Sequence, residues 1–164
     1  MKFNTDPEFI GLDALKQTHN KQVLEFEDWA TRNDWEKFHC SHYDWWTFPI
    51  NHRSSYGSKY VVFEGEITEL KKDETFLEGY VKGAKLVSAS WGWDLKYCEK
   101  LKNHLPGQSW HQWPVRLYKA ALSVKLFGYD ELFFSLQTFA LDLISKGEGF
   151  VFNGRDLSSL FRTM

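Results

Sequence analysis

The segment from Pro114 to Gly147 constrains the fold most, because residues 115–127 are apolar nearly all round a helix and a second apolar stripe follows them. Pro114 suits the first turn of a helix, where its missing N–H costs nothing, and Gly128 suits the left-handed residue just past a helix end. After this stop, Asp130 begins a second apolar stripe that runs on to Gly147. The pattern predicts two long helices joined by a short turn, an αα-hairpin whose first helix is central and buried.

Further helices are predicted before this hairpin. One short helix is expected from about Asp13 and another over residues 23–31. Asp34 is placed to cap a third helix that would end at Pro49. One face of that third helix would carry Trp35, Phe38, His42 and Trp45. Asp73 is placed to cap a longer fourth helix.

The expected β content is small. Residues 60–63 and 150–152 are rich in aromatic and β-branched side chains, so each indicates a short strand, and Asn153-Gly154 indicates a turn after the second. At most these two segments would form a two-stranded pairing. We therefore expect an all-α fold: a single-domain multi-helix bundle over residues 1–164, with an αα-hairpin near its C-terminus.

Length and charge narrow the classes of function. A chain of 164 residues suits one domain, and its net charge of −2 lacks the basic excess typical of nucleic-acid-binding domains. Charges interrupt the longest apolar stretch, residues 117–144, so no membrane contact is predicted. Two cysteines without a CxxC pair suit a reducing compartment, and we expect a soluble, cytoplasmic protein. No cofactor is predicted.

Three segments carry a family resemblance. Residues 34–50, DWEKFHCSHYDWWTFPI, resemble a segment in which a helix ends in a His-x-Tyr-x-x-Trp-Leu-Phe-Pro-Leu motif. The matching positions are His42, displaced by one or two residues, Trp46, Phe48, Pro49 and Ile50. Residues 67–95 are similar to a family helix that runs into a Phe-Tyr-Gly turn, and this chain has Trp91-Gly92-Trp93 in place of that turn. Residues 103–134 resemble a pair of helices that carry Arg-Ile-x-Arg and Leu-Gly-Leu motifs. The family is the conserved region of the opioid growth factor receptor, which has bacterial relatives.

This resemblance covers residues 33–145 and implies a helical fold, in agreement with the periodicity. It implies no catalytic residue, because the family has none established. The enkephalin-binding member of the family does not extend a peptide-receptor function to this chain.

Two histidines, His39 and His42, are predicted on one face of the third helix, with Asp44 and His52 nearby in sequence. Imidazole and carboxylate ligands suit zinc or iron. A metal site needs three or four converging ligands, so we predict no metal and keep these four residues as weak candidates. The simpler interpretation is that the histidines are half-buried and hydrogen-bonded to backbone groups.

Aromatic, histidine and arginine residues concentrate around residues 42–53 and 91–116. Rings stack on ligands, and arginine pairs with carboxylates or phosphates. The candidate ligand-binding residues are His42, Trp45, Trp46, His52, Arg53, Trp93, Trp110, His111 and Arg116. Most of the tryptophans suit a core equally well. Trp93 and Trp110 lie in an irregular segment and are expected to be the most exposed.

Three hypotheses on function stay open. We favour a non-catalytic module that binds an unidentified small molecule or protein partner on the aromatic surface, since the sequence has no nucleophile elbow, phosphate loop or zinc-protease motif. The second hypothesis is a small metal-dependent enzyme with a His-rich site. The third is a structural subunit whose exposed rings form a homodimer interface.

Overall fold

The computed structural model describes residues 1–162, and this part of the chain is mainly helical with two small antiparallel hairpins, which confirms the all-α prediction. The helices are α1 (Leu12–Thr31), α2 (Glu36–Cys40), α3 (Glu64–Leu70), α4 (Glu74–Ser90), α5 (Pro114–Leu126) and α6 (Asp130–Ser145). The strands are β1 (Trp93–Asp94), β2 (Glu99–Lys100), β3 (Val151–Phe152) and β4 (Arg155–Asp156). Short 3-10 helices span Tyr43–Trp45 and Leu157–Leu160. Within the described residues, no helix has both the length and the apolar character needed to cross a membrane.

Two helix pairs build the core, with α1 packed along α4 and α5 packed along α6. Tyr80 of α4 joins the pairs: its ring stacks on Phe127 with 4.6 Å between centroids, and its hydroxyl lies 2.6 Å from Ser123 Oγ of α5. Trp93 of β1 donates to Ser135 Oγ of α6 at 3.1 Å. All five side chains are buried. Large rings whose polar atoms are paired thus hold the two helix pairs in one core.

The predicted αα-hairpin is confirmed, and local residues set its ends. Pro114 is the first residue of α5, and Gly128 and Gly147 follow α5 and α6 with φ angles of 82° and 89°. Such left-handed conformations favour glycine at a helix end. Asp73 caps α4 as predicted, because its Oδ1 accepts a hydrogen bond from the Phe76 amide at 3.0 Å.

Residues 12–31 form a single helix, so the prediction of two short helices is wrong there. The prediction divided this segment at its polar centre. His19 at that centre is only 1% exposed, and its ring centroid lies 4.7 Å from that of Phe76 on α4. No glycine or proline interrupts the segment, so nothing in its backbone breaks the helix.

The helix predicted over residues 34–49 is wrong beyond Cys40, where α2 ends. Ser41 is extended, with φ −98° and ψ 145°, and a 3-10 turn follows. This turn directs Tyr43 and Asp44 into the core, where they are 1% and 5% exposed. The free energy gained by their buried contacts with α5 exceeds the local preference of this segment for a helix.

The predicted pairing of residues 60–63 with residues 150–152 is wrong, because β3 pairs with β4 immediately after it. Asn153 and Gly154 both have positive φ angles, 51° and 75°, which suits a two-residue hairpin turn. The predicted turn at these two residues is therefore confirmed. The hairpin carries Arg155 to a position beside α5.

Candidate functional site

Three charged side chains meet in the core where the 3-10 turn faces α5. Lys119 Nζ donates to Asp44 Oδ2 at 3.0 Å, and Arg116 Nε lies 3.6 Å from Asp44 Oδ1. We call Asp44, Arg116 and Lys119 the buried charge cluster, because all three are less than a tenth exposed. Two cations share one carboxylate, so the cluster keeps one excess positive charge away from water. Burying an unbalanced charge is costly, and an anion nearby would lower that cost.

Arg116 is held by protein groups on several sides. Its Nη1 donates to Phe38 O at 3.0 Å, and its guanidinium lies 4.9 Å from the ring centroid of Tyr43 and 4.5 Å from that of Trp113. Burial raises the pKa of Tyr43, so its hydroxyl stays protonated at neutral pH. Arg116 therefore anchors the 3-10 turn to α5, while Lys119 is the member of the buried charge cluster that reaches the neighbouring cleft.

A cleft of about 240 Å³ lies next to the buried charge cluster, and we call it the α5 cleft. Its walls come from the loop over residues 50–55, the first two turns of α5 and the β3–β4 hairpin with the residues that flank it. The polar lining residues are His52, Arg53, Ser54, Ser55, Tyr118, Lys119, Asn153 and Arg155. The apolar lining residues are Ile50, Val115, Phe152 and Leu157. Of residues 1–162, no Asp or Glu belongs to this lining.

A chain of hydrogen bonds crosses the α5 cleft. Arg155 Nη2 donates to the Tyr118 hydroxyl at 3.2 Å, and that hydroxyl lies 3.2 Å from His52 Nε2. His52 Nδ1 lies 3.3 Å from Arg53 O, which can only accept, so we assign the imidazole proton to Nδ1. Nε2 of the neutral ring then accepts the Tyr118 proton. The order of donors and acceptors is thus consistent with a neutral His52.

The electrostatic surroundings of His52 favour the same neutral form. Burial lowers the pKa of His52, the backbone hydrogen bond with Arg53 raises it, and the positive charges of Arg155 and Lys119 lower it. The imidazole is therefore neutral at neutral pH. The positive potential of both cations reaches the side of the α5 cleft on which His52 lies.

The two arginines of the α5 cleft differ in how their charges are balanced. Arg155 forms no ion pair with a carboxylate of the described part of the chain, and its guanidinium lies 5.5 Å from the Tyr118 ring centroid. Arg53 Nη2 lies 3.7 Å from Glu8 Oε1, but both side chains are exposed, so this pair is weak. The first turn of α5, which contributes Val115 to the lining, adds the positive end of a helix dipole. The α5 cleft therefore has a positive character.

The tryptophans of the first predicted region, Trp45 and Trp46, do not line the α5 cleft. Trp45 stacks on His42 with 4.7 Å between centroids and meets the Tyr56 ring edge-on at 4.2 Å. Trp46 Nε1 donates to Gln22 Oε1 of α1 at 3.0 Å. Trp45 also lines a cavity of about 10 Å³ next to the buried charge cluster, with room for about one water molecule. The predicted residues that line the α5 cleft itself are His52 and Arg53.

The predicted residues of the second region lie elsewhere. Trp93 is 3% exposed and Trp110 is half-buried, so the expectation that these two rings are the most exposed is wrong. Large rings in an irregular segment are buried by the same hydrophobic driving force as those in helices. His111 stacks on His39 with 3.5 Å between centroids, and Arg116 belongs to the buried charge cluster.

The four weak metal candidates do not converge. Because α2 ends between His39 and His42, these two imidazoles lie on separate elements. His39 Nε2 lies 2.7 Å from a backbone oxygen, Asp44 is paired with two cations, and His52 Nε2 lies next to Tyr118. In the part of the chain that the structure describes, no three His, Cys, Asp or Glu side chains are grouped to hold a metal ion. The hypothesis of a metal-dependent enzyme loses its geometric basis.

Two wider surface grooves, of about 590 and 580 Å³, lie along α4 and share Val81, Lys85 and Tyr129. Their acidic lining residues are Glu74, Glu78, Asp130 and Glu131. Their basic lining residues are Lys82, Lys85 and Lys96. Charges of both signs line these grooves, so neither groove has the one-sided positive charge of the α5 cleft.

Sequence reasoning missed Tyr118, Lys119 and Arg155. Lys119 offered a signal, because it interrupts a helix that is otherwise apolar nearly all round, and a buried lysine requires a partner. Tyr118 gave no such signal, because in the sequence it is one of several aromatic and apolar residues of the same helix. Arg155 reads as a solvated residue after a turn, and only the folded hairpin brings it to α5.

The arrangement can hold an anion against cationic and serine hydroxyl donors. Comparisons of the chain with protein-family models, curated proteins and solved structures find no match.

Proposed function

We propose that this chain is a non-catalytic binding module that holds a small anionic ligand in the α5 cleft. The observation that carries the proposal is that Arg53, Lys119 and Arg155 line one cleft, with His52 between them and no carboxylate among the described lining residues. Arginine and lysine are the usual partners of carboxylates and phosphates. One Arg155 N–H is used by Tyr118, which leaves the other guanidinium donors for a ligand.

The buried charge cluster supports this proposal energetically. Its two cations and one carboxylate leave one positive charge unbalanced, next to the α5 cleft. In an environment of low dielectric constant such a charge interacts strongly with a nearby anion. An anion bound beside Lys119 would balance the excess positive charge of the buried charge cluster.

The hydrogen bonds of His52 favour binding over catalysis. A histidine that activates a serine needs a free ring nitrogen that faces the hydroxyl. Both ring nitrogens of His52 are already engaged, with Arg53 O and with the Tyr118 hydroxyl. The hydroxyls of Ser54 and Ser55 therefore have no general base in this arrangement, and we assign them to ligand binding. The resemblance to the conserved region of the opioid growth factor receptor stays a prediction and assigns no role to these residues.

Sulfate titration with calorimetric detection tests the proposal, at constant ionic strength because screening weakens charge interactions. Arg155→Gln removes an exposed cation that lines the α5 cleft. Arg32→Gln removes an exposed cation directly after α1, paired with Asp28, and changes the net charge equally. We expect Arg155→Gln to raise the Kd about fivefold or more, as for the loss of a charged hydrogen bond, and Arg32→Gln to leave it unchanged. Equal effects of the two variants, or no sulfate binding to the unaltered protein, would refute the proposal.

A further inference from the structure

Resting on the function proposed above, we infer that the ligand of the α5 cleft is a small phosphomonoester: a doubly charged phosphoryl group attached to a compact apolar body. Three features of the cleft carry this inference, namely its charge balance, its donors and its apolar wall.

The positive charges around the α5 cleft favour a ligand that carries about two negative charges. In the buried charge cluster, two cations against one carboxylate leave one positive charge, and Arg155, without an ion pair to any described carboxylate, adds a second. Arg53 adds further positive charge at the exposed rim, because its pair with the exposed Glu8 is weak. A carboxylate ligand carries one negative charge, whereas a phosphomonoester carries about 1.5 to 2 near neutral pH. The phosphoryl group matches the excess charge more closely.

The donors that line the α5 cleft come from three separate elements. Lys119 comes from α5, Arg155 from β4, and Ser54 and Ser55 from the loop over residues 50–55. A phosphoryl group presents three terminal oxygens in different directions and so accepts hydrogen bonds from several elements. A carboxylate presents two oxygens in one plane, which suits a single arginine fork. Donors on three separate elements therefore favour the phosphoryl group.

The apolar lining defines the rest of the ligand. Val115, Phe152 and Leu157 lie on the α5 and hairpin sides of the cleft. Phe152 is 41% exposed, so part of its ring is available to a bound molecule. The volume of about 240 Å³ falls below the range of about 300–1,000 Å³ typical of sites for drug-sized ligands. We therefore expect one small aryl or alkyl group beside the phosphoryl group.

Four probes, each of which differs from phenyl phosphate in one main feature, test the inference: phenyl phosphate itself, phenyl sulfate, benzoate and inorganic phosphate. Phenyl sulfate keeps the tetrahedral head and the ring but carries a single charge, benzoate has a planar head, and inorganic phosphate lacks the ring. Calorimetry near neutral pH and at fixed ionic strength should give phenyl phosphate a Kd at least about fivefold below each of the other three.

The apolar wall has its own matched variants. Phe152→Ala should remove the advantage of phenyl phosphate over inorganic phosphate, while Val151→Ala, an exposed neighbour that does not line the cleft, should leave it intact. Both side chains are exposed on a hairpin, so neither variant opens the core.

The outcomes separate this inference from the proposed function. If benzoate or phenyl sulfate binds within fivefold of phenyl phosphate, the phosphomonoester inference is refuted and the anion-binding function stands. If inorganic phosphate binds as tightly as phenyl phosphate, the apolar body is refuted. If sulfate does not bind to the unaltered protein, the proposed function itself is refuted, and this inference is refuted with it.

Discussion

Lys119 and Asp44 form a buried ion pair across 75 residues of sequence, with 3.0 Å between Nζ and Oδ2. The pair joins the 3-10 turn after α2 to the second turn of α5. Because Lys119 also lines the α5 cleft, the same contact supports both the fold and the candidate site. Its partner Arg116 approaches the other carboxylate oxygen and leaves the excess charge on which the functional proposal depends.

Asp44→Asn is expected to lower the free energy of unfolding by about 3–5 kcal/mol, because it leaves two buried cations without a counter-charge. Urea denaturation measures the change. The control Asp28→Asn breaks an exposed pair with Arg32 directly after α1 and should cost less than about 1 kcal/mol. Similar losses in the two variants would mean that the cluster is not buried as described.

His19 is expected to make the protein less stable as the pH falls. Burial lowers its pKa to about 4, and a hydrogen bond with the Thr47 backbone raises it only in part. The unfolded state, with a pKa near 6.5, binds the proton first, so stability is full above that value and declines as the pH falls to about 4. The decline attributable to His19 is on the order of 3 kcal/mol, the free-energy equivalent of the pKa shift.

Denaturation curves between pH 4 and pH 7 test this effect. His19→Phe keeps an aromatic ring against Phe76 but cannot titrate, so its stability should vary less with pH than that of the unaltered protein. His104→Gln, at an exposed position, should retain the original slope. A slope unchanged by His19→Phe would show that His19 is not buried as a neutral ring.

Tyr80→Phe is expected to cost about 1–2 kcal/mol, because it leaves the buried Ser123 hydroxyl without this partner. Adding Ser123→Ala to the same chain should recover part of the loss, since both ends of the hydrogen bond are then apolar. A double-mutant cycle on unfolding free energies measures the coupling. Strictly additive losses would contradict a direct bond between α4 and α5.

Sulfate affinity is expected to rise as the pH falls below the ordinary histidine value of 6.5. His52 is faced by Arg53, Tyr118, Lys119 and Arg155, and its neutral form dominates at neutral pH because its pKa is lowered. Protonation adds a positive charge beside the anion and frees the Tyr118 proton for it. Bound sulfate in turn favours the protonated ring, so the two binding events reinforce each other.

Titrations of sulfate over this pH range test the coupling, because sulfate keeps its charge throughout it. His52→Gln should flatten the pH dependence, and His104→Gln should preserve it. Parallel curves for the unaltered protein and His52→Gln would assign the pH dependence to another group.

The parts of the fold that could be predicted depend on local signals. Pro114 and Gly128 mark the ends of α5, and Asp73 caps α4, whatever lies around them. The segment after α2 depends on distant partners instead. Asp44 turns inwards because α5 supplies two cations, and helical periodicity in one segment carries no information about that contact.

The candidate site was predictable only in part for the same reason. His52 and Arg53 could be predicted because they are a histidine and an arginine in a polar loop, and both line the α5 cleft. Arg155 reaches the cleft only when β3 and β4 pair. Trp93 misled the prediction because residue type indicates recognition and burial equally well, and its bond to Ser135 places it in the core.

Amide chemical shifts of the ¹⁵N-labelled protein during a sulfate titration would locate the bound anion directly. If the anion binds in the α5 cleft, the shifts concentrate in residues 50–55, 115–119 and 151–157, which surround it. The amides of Val81 and Tyr129, in the grooves along α4, should stay unchanged. Shifts centred on those grooves or on residues 91–112, or no saturable shifts at all, would show that the α5 cleft is not the anion site.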